Sequence, residues 1–251
     1  MRSKEAVLFD LDDTLVDFQY SRRHGLRAVQ ELLPGLAPVP LGELELVHDE
    51  ELHANFLRTL GGGLSDDEAR IERIAGVCRR YGLEPDEKRV AEAAVSYARA
   101  QQSNVRLVPG VSELLHALRG RVKIGVITNG PSVQQRDKLR RCNIDPGDLD
   151  VLAISEEVGT TKPDPAIFRY ALAGLGVIPG RVTMVGDSWE NDVLPALGSG
   201  IGAVWLNRYR RACPDPGLAI EIRGLQPLED ILEILGVETR QGRPAQRTEV
   251  C

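Results

Sequence analysis

Apolar positions along the chain follow one period, switch to a second, and then alternate between the two. Ala6 to Phe9 is a short continuous apolar run, the pattern of a strand buried on both faces. From Tyr20 to about Ala100 the period is helical, and no strand pattern interrupts it. Leu26, Val29, Leu32 and Leu33 fall on one helical face. Pro34 to Leu41 carries three prolines and ends that helix. A second helix is predicted from about Gly42 to Leu60, followed by a flexible turn at Gly61-Gly62-Gly63. The glycine triplet lacks both a preceding strand and a following Gly-Lys-Ser/Thr, so it does not read as a phosphate loop. Ser65 to Glu68 has capping-box spacing and opens a third helix through Ile71, Ile74 and Val77, which Gly82 ends. A fourth starts near Pro85 and continues through Val90, Ala94 and Tyr97.

Beyond Val108-Pro109-Gly110 strands and helices alternate. Helix Val111 to Leu118 leads to strand Val122 to Ile127 and the turn Thr128-Asn129-Gly130. Ser132 to Gln135 has capping-box spacing and opens a helix through Leu139. Strand Val151 to Ile154 precedes a loop from Ser155 to Lys162. Asp164-Pro165 supplies an N-cap and a proline at the first helical position, and that helix ends near Gly176. Strand Val182 to Val185, a helix to Leu197, strand Ala203 to Leu206, an edge strand Leu218 to Ile222 and a helix from Pro227 to Gly236 complete the series. The polar, Arg-rich stretch Glu238 to Cys251 is expected to be disordered. Strands separated by helices imply an α/β fold, a parallel sheet covered on both faces, with a small helical domain inserted after its first strand.

Composition narrows the function classes. With 251 residues, 42% hydrophobic and 27% charged, the chain has the make-up of an ordinary globular protein. A net charge of −6 offers no basic face for a nucleic acid polymer. No apolar run reaches membrane-spanning length, and the N-terminus enters a strand without a signal-peptide core. Cys78, Cys142, Cys213 and Cys251 are scattered, which predicts free thiols in a reducing, cytoplasmic setting. His48 and His53 lie poorly for one helical face, so they do not form a zinc pair. The only lysines are Lys4, Lys88, Lys123, Lys138 and Lys162, so a lysine inside a motif stands out.

The polar residues at the strand ends carry the chemistry. The first strand runs into Asp10-Leu11-Asp12-Asp13, and in a parallel sheet ligands bind beyond the carboxyl ends of the strands. Carboxylates crowded there repel unless a cation joins them, and hard oxygen ligands suit Mg²⁺. Asp10 and Asp12 are both expected to turn toward one pocket, one to attack and one to move a proton. Thr128 and Asn129 offer a hydroxyl and backbone N–H groups to phosphate oxygens. Lys162, followed by Pro163, can neutralise a phosphate as a point charge. Asp187 can complete a magnesium site, with Asp192 orienting a ligand or acting through water. Together these are the parts that phosphoryl transfer needs.

Asp10-Leu11-Asp12-Asp13-Thr14-Leu15, Ile127-Thr128-Asn129-Gly130, Lys162-Pro163 and Gly186-Asp187-Ser188 with Asn191-Asp192 resemble the four motifs of the haloacid dehalogenase-like superfamily. The resemblance covers about residues 5 to 235. It implies a Rossmann-like core from 1–16 and 106–237, a four-helix cap from 17–105 and a tail from 238–251. It makes Asp10 a nucleophile that forms an aspartyl-phosphate and Asp12 the general acid/base, whose backbone carbonyl also touches the metal. It has Thr128, Asn129 and Lys162 hold the phosphoryl group, Asp187 ligate Mg²⁺, and Asp192, Ser188 and Asn191 support that site. Dehalogenases of the family lack an acid at the position of Asp12, and its mutases usually carry Gly where Asp13 stands, so the resemblance points to phosphatases. A receiver-type signalling module or a binding-only protein lacks, respectively, the helical insert or a reason for the intact acidic set.

Ile154 to Gly159, Lys162 to Phe168 and Trp205-Leu206-Asn207 are similar to the pyrimidine 5′-nucleotidase branch. The implied partner is a small phosphorylated metabolite, first a nucleoside 5′-monophosphate. N-acylneuraminate 9-phosphate, phosphoglycolate and sugar phosphates are the alternatives, and the protein is expected to be a monomer or homodimer. Arg22, Arg23 and His24 could reach the leaving group but are expected to be solvated helix residues. Two hinges are expected, near Leu15–Phe18 and Ser103–Pro109, where the chain crosses between core and cap.

Overall fold

The computed structural model describes residues 4–60 and 63–237. Gly61 and Gly62 of the expected turn, and the whole of 238–251 with Cys251, lie outside the described residues. Six strands form one parallel sheet: β1 (Ala6–Phe9), β2 (Lys123–Thr128), β3 (Val151–Ile154), β4 (Val182–Gly186), β5 (Gly202–Leu206) and β6 (Ile220–Ile222). Their spatial order is β3-β2-β1-β4-β5-β6. The order reverses between β1 and β4, and such a switch point opens the crevice in which ligands bind. Phe9 stands opposite Val126 in β2 and Val185 in β4, so Asp10 emerges at this crevice.

Alternation along β1 divides the core into two layers. Val7 and Phe9 join an apolar cluster with Val126, Val185, Leu114, Leu118, Leu139 and Ile231. That layer is covered by α5 (Val111–Leu118), α6 (Ser132–Arg141) and α10 (Leu228–Ile234). Ala6 and Leu8 face the opposite way, with Ile127, Met184, Ile167, Phe168 and Trp205. There the cover is α8 (Pro165–Leu175) and α9 (Leu194–Gly198).

Between β1 and β2 stand α1 (Phe18–Leu32), α2 (Leu41–Leu60), α3 (Asp66–Arg80) and α4 (Glu87–Ser103). They enclose an apolar core of their own, including Leu26, Val29, Leu44, Ile74, Val77 and Tyr97. A Cβ on Gly25 would lie 2.7 Å from the Tyr97 ring, so the glycine is what lets α1 and α4 pack this closely. The two chain crossings at the base of the bundle pair with each other. Val108 N–H donates to the Leu15 carbonyl at 2.9 Å, and Asp17 N–H donates to the Arg106 carbonyl at 2.9 Å. The Arg106 guanidinium also donates to the Asp17 carboxylate at 2.7 Å.

Several local expectations hold and several do not. Ser65 and Glu68 form the reciprocal capping box, and Asp164 caps α8 through the Ala166 N–H at 2.8 Å. Ser132 does not cap α6. Its N–H donates to Glu156, its hydroxyl bonds Glu157, and Gln135 turns inward instead. The loop after β3 contains a one-turn helix, α7 (Ser155–Val158). The edge strand is shorter than expected because only Ile220 to Ile222 finds partners on β5. Leu32 is 40% exposed, off the buried stripe that Leu26 and Val29 define. Among the described residues Cys78, Cys142 and Cys213 are free thiols, and no helix is long and apolar enough to cross a membrane.

Candidate active site

Asp10 continues the β1 ladder by one bond, its N–H donating to the Val185 carbonyl at 2.9 Å, and its side chain is buried at the crevice. Lys162, also buried, donates to Asp10 Oδ1 at 2.5 Å and to Asp192 Oδ1 at 2.6 Å. The loop that carries this lysine is braced by Asn129. The Asn129 amide donates to the Lys162 carbonyl at 2.9 Å and accepts from the Lys162 N–H at 2.8 Å. Both ends of the Asn129 side chain are therefore spent on aiming Lys162. Thr128 ends β2 with a buried hydroxyl that has no hydrogen-bond partner among the described residues. An orphaned hydroxyl there fits an oxygen of an incoming ligand.

Asp187 and Asp192 come from the turn after β4. A five-residue π turn, Trp189–Val193, folds the chain back so that Asp192 returns to the strand end. Gly186 makes room for it, since a Cβ there would fall 2.4 Å from the Asp192 side chain. Ser188 closes the turn: its hydroxyl accepts from the Asn191 N–H at 3.2 Å, and its N–H donates to Asp192 Oδ2 at 3.0 Å. The Trp189 ring packs edge-on against Trp205, whose indole N–H donates to the Asp187 carbonyl at 2.9 Å. Carboxylate oxygens of Asp10, Asp187 and Asp192 all lie within 4.8 Å of one another.

Charge in this pocket is unbalanced. Burial pushes the Asp10 carboxyl up to about 7; Lys162 opposes the shift and Asp192 reinforces it. Burial, then Asp10 and Asp192, hold the Asp187 carboxyl well above the usual range. Burial would lower the Lys162 ammonium, but Asp10 and Asp192 outweigh it and keep the lysine charged. One ammonium thus faces three carboxylates. Asp192 has both oxygens engaged, whereas among the described residues Asp187 is met only by Arg211 at 3.9 Å. These oxygens, with their surplus negative charge, fit a hard divalent cation.

Asp12 does not join that cluster. The chain reverses at Asp13, which takes a left-handed φ of 60°, a conformation Asp tolerates better than most residues. Asp13 Oδ1 accepts from the Gln19 N–H and from the Tyr209 hydroxyl, each at 2.9 Å, which fixes the reversal. The Asp12 carboxylate is turned instead to Lys138 and Gln135 on α6. The Asp10 and Asp12 carboxylates thus have separate hydrogen-bond partners, although Asp12 stays near enough to Asp10 to add to the upward push on its carboxyl. Neither Lys138 nor Gln135 is evident from sequence. The only hint was the scarcity of lysine, because which face of α6 meets the site depends on tertiary packing.

The helical insertion brings a second polar set. Two cations approach the Phe18 ring, Lys138 Nζ at 4.4 Å from its centroid and the Arg22 guanidinium at 5.6 Å. Arg22 is 9% exposed and donates to Asp49 at 2.6 Å, so the expectation of a solvated residue fails for it. His48 is buried, stacked on Tyr97 at 5.2 Å, and its Nδ1 is 3.6 Å from Asp49, beyond hydrogen-bond length. Burial lowers its pKa to about 4. An unfolded histidine titrates near 6.5, so the unfolded state binds the extra proton and stability is lost as pH falls between these values. His48→Gln should therefore flatten the acid limb of stability. Relative to that variant, the wild type should lose about 2 kcal/mol between pH 7 and pH 5 in urea unfolding. Equal slopes would show that His48 is protonated in the fold.

Sheet and site together define a parallel α/β fold built around an acidic strand end. Residues 4–200 match the model of the haloacid dehalogenase-like hydrolases, and the chain belongs to that family. It is 43% identical over 128 residues to the pyrimidine 5′-nucleotidase YjjG of Escherichia coli, which covers 50% of this chain and 56% of that protein. It is 34% identical over 217 residues to the glyceraldehyde 3-phosphate phosphatase of Methanopyrus kandleri, covering 84% and 88% respectively. In fold it is similar to the magnesium-bound HAD-hydrolase YfnB of Bacillus subtilis, with a TM-score of 0.71 at 24% identity over 94% of this chain and 100% of that one.

Proposed function

We propose that this protein is a Mg²⁺-dependent phosphatase that hydrolyses a small phosphomonoester through an aspartyl-phosphate on Asp10. The observation that carries this reading is the placing of the Asp10 carboxylate at the end of the central strand, bonded to the Lys162 ammonium and within 4.8 Å of the Asp187 and Asp192 carboxylates. The core, 1–16 and 106–237, reads the phosphate, and a cap, 17–105, reads the rest of the substrate. Lys162 and the free Thr128 hydroxyl bind phosphoryl oxygens. Asp10 Oδ attacks phosphorus as the ester P–O bond breaks, and Asp12 gives a proton to the departing oxygen. Asp12 then takes a proton from water, which attacks the phosphorus of the aspartyl-phosphate, so Asp10, inorganic phosphate and the alcohol are released. Asp10, Asp187 and the Asp12 carbonyl would hold Mg²⁺, which would offset charge on the transferring group.

The relatives' names point to different leaving groups, a nucleoside and a triose. A nucleoside 5′-monophosphate stays the first candidate because a nucleotidase shares 43% identity with this chain over 128 residues. The test is phosphate release from nucleotides, sugar phosphates, N-acylneuraminate 9-phosphate and phosphoglycolate, with Mg²⁺ or with chelator. Chelation should abolish release, and Mg²⁺ at about a hundred times its Kd should stabilise the protein by about 2.7 kcal/mol. Asp187→Asn should remove most of that stabilisation. Chelator-resistant turnover would remove the metal from the mechanism. A reducing cytoplasm is part of this proposal, and the free thiols of Cys78, Cys142 and Cys213 are in keeping with it.

A further inference from the structure

We propose that Lys138 and Gln135 are positioning residues for Asp12, and that they keep this carboxylate aimed at the leaving group and out of the cation cluster. The proposal rests on the phosphatase reading above. Gln135 and Lys138 are one turn apart on α6, so they present one face. Leu139, fully buried in the sheet layer, anchors the same turn. Lys138 Nζ lies 2.7 Å from both Asp12 oxygens, so the ammonium straddles the carboxylate and sets its plane. Gln135, 2% exposed, donates to Asp12 Oδ2 at 3.2 Å and to the Asn129 carbonyl at 2.5 Å. Asn129 is the residue that braces Lys162, so the phosphate-facing lysine and the proton-moving carboxylate are tied to one support. Lys138 Nζ also lies 4.4 Å from the ring centroid of Phe18, the first residue of α1.

Among the described residues Asp12 has no other side-chain hydrogen bond. Its side chain is 27% exposed, so without these two donors it would turn freely. It would also be drawn toward a divalent cation only two residues away. The three carboxylates that do converge are Asp10, Asp187 and Asp192. Lys138 would therefore keep the Asp12 carboxylate away from a cation held by Asp10 and Asp187, while the Asp12 backbone carbonyl stays free to face it.

A positioning role acts only through Asp12, and only where the leaving oxygen needs a proton. Lys138→Met should lower kcat/KM for alkyl phosphates by about 10–100-fold, as expected for a misplaced proton donor. Aryl phosphates, whose phenolate leaves without help, should lose far less, so the dependence of log kcat/KM on leaving-group pKa becomes steeper. Lys138→Arg should restore part of the loss, and Gln135→Ala should show the same leaving-group bias at smaller size. In an Asp12→Asn background, Lys138→Met should cost nothing further. Additive losses, or equal losses on alkyl and aryl substrates, would overturn the proposal. If Lys138→Met melts early, Gln135→Ala and Lys138→Arg carry the same cycle. Wild-type turnover that Asp10→Asn abolishes keeps the phosphatase reading in place whatever the cycle shows. Absence of such turnover removes both.

Discussion

Asp10→Asn will leave a folded protein that turns over nothing. An amide oxygen cannot take the place of the attacking carboxylate, and loss of a nucleophile costs roughly six orders of magnitude in a hydrolase that depends on one. The fold should not suffer. The pocket holds three carboxylates against one ammonium, so removing one charge relieves repulsion while Lys162 keeps its bond to Asp192 at 2.6 Å. The melting temperature without metal should therefore equal or exceed that of the wild type, and a reduced Mg²⁺-induced shift should remain. Phosphate release is the measurement, with mass spectrometry to exclude deamidation back to Asp. Residual turnover above about one part in a thousand would remove Asp10 as the nucleophile, since that far exceeds what losing such a group leaves behind.

Lys162→Met reverses that logic. The substitution keeps the length of the stem but leaves Asp10 and Asp192 buried without their cation. Removing one partner of a buried ion pair costs about 3–5 kcal/mol, most of it the penalty on the charge left behind. Stability should then depend on pH in a defined sense. The Asp10 and Asp187 carboxyls already titrate above their unfolded range, and removing the ammonium raises Asp10 further. The folded state then binds more protons than the unfolded one, so stability falls as pH rises through the folded pKa values. The variant should be weaker at pH 8 than at pH 5 relative to wild type, and Mg²⁺ should recover part of the difference. Denaturant unfolding at both pH values decides it. A loss under about 1 kcal/mol at pH 8 would mean that water, not Lys162, solvates the pair.

Much of this site is legible from sequence because of where parallel strands end. β1, β2 and β4 are short apolar runs, and each stops at a polar residue that the topology delivers to the same edge: Asp10, Thr128 and Asp187. Lys162 and Asp192 lie in the loops just beyond such strands, so order along the chain sufficed to group them. What sequence missed lies on helices, where the deciding fact is the face presented. Gln135 and Ser132 had capping-box spacing, yet Gln135 found better acceptors at the strand ends and Ser132 turned to α7. Arg22 read as a surface charge until α2 supplied Asp49. The edge strand was overestimated because its length is set by the pairing offered by β5, not by its own propensity.

The paired crossings at Leu15–Asp17 and Arg106–Val108 have a further consequence. Seen from the sheet, the whole four-helix excursion begins and ends at one stem, fastened across its base by backbone bonds and the Arg106–Asp17 pair. Closing that stem costs little extra chain entropy however long the excursion grows. The sheet and its strand ends are thus insulated from the size of what is mounted on them. A different bundle can be spliced onto the same stem with the strand ends below left intact, provided that Phe18 is kept against Lys138.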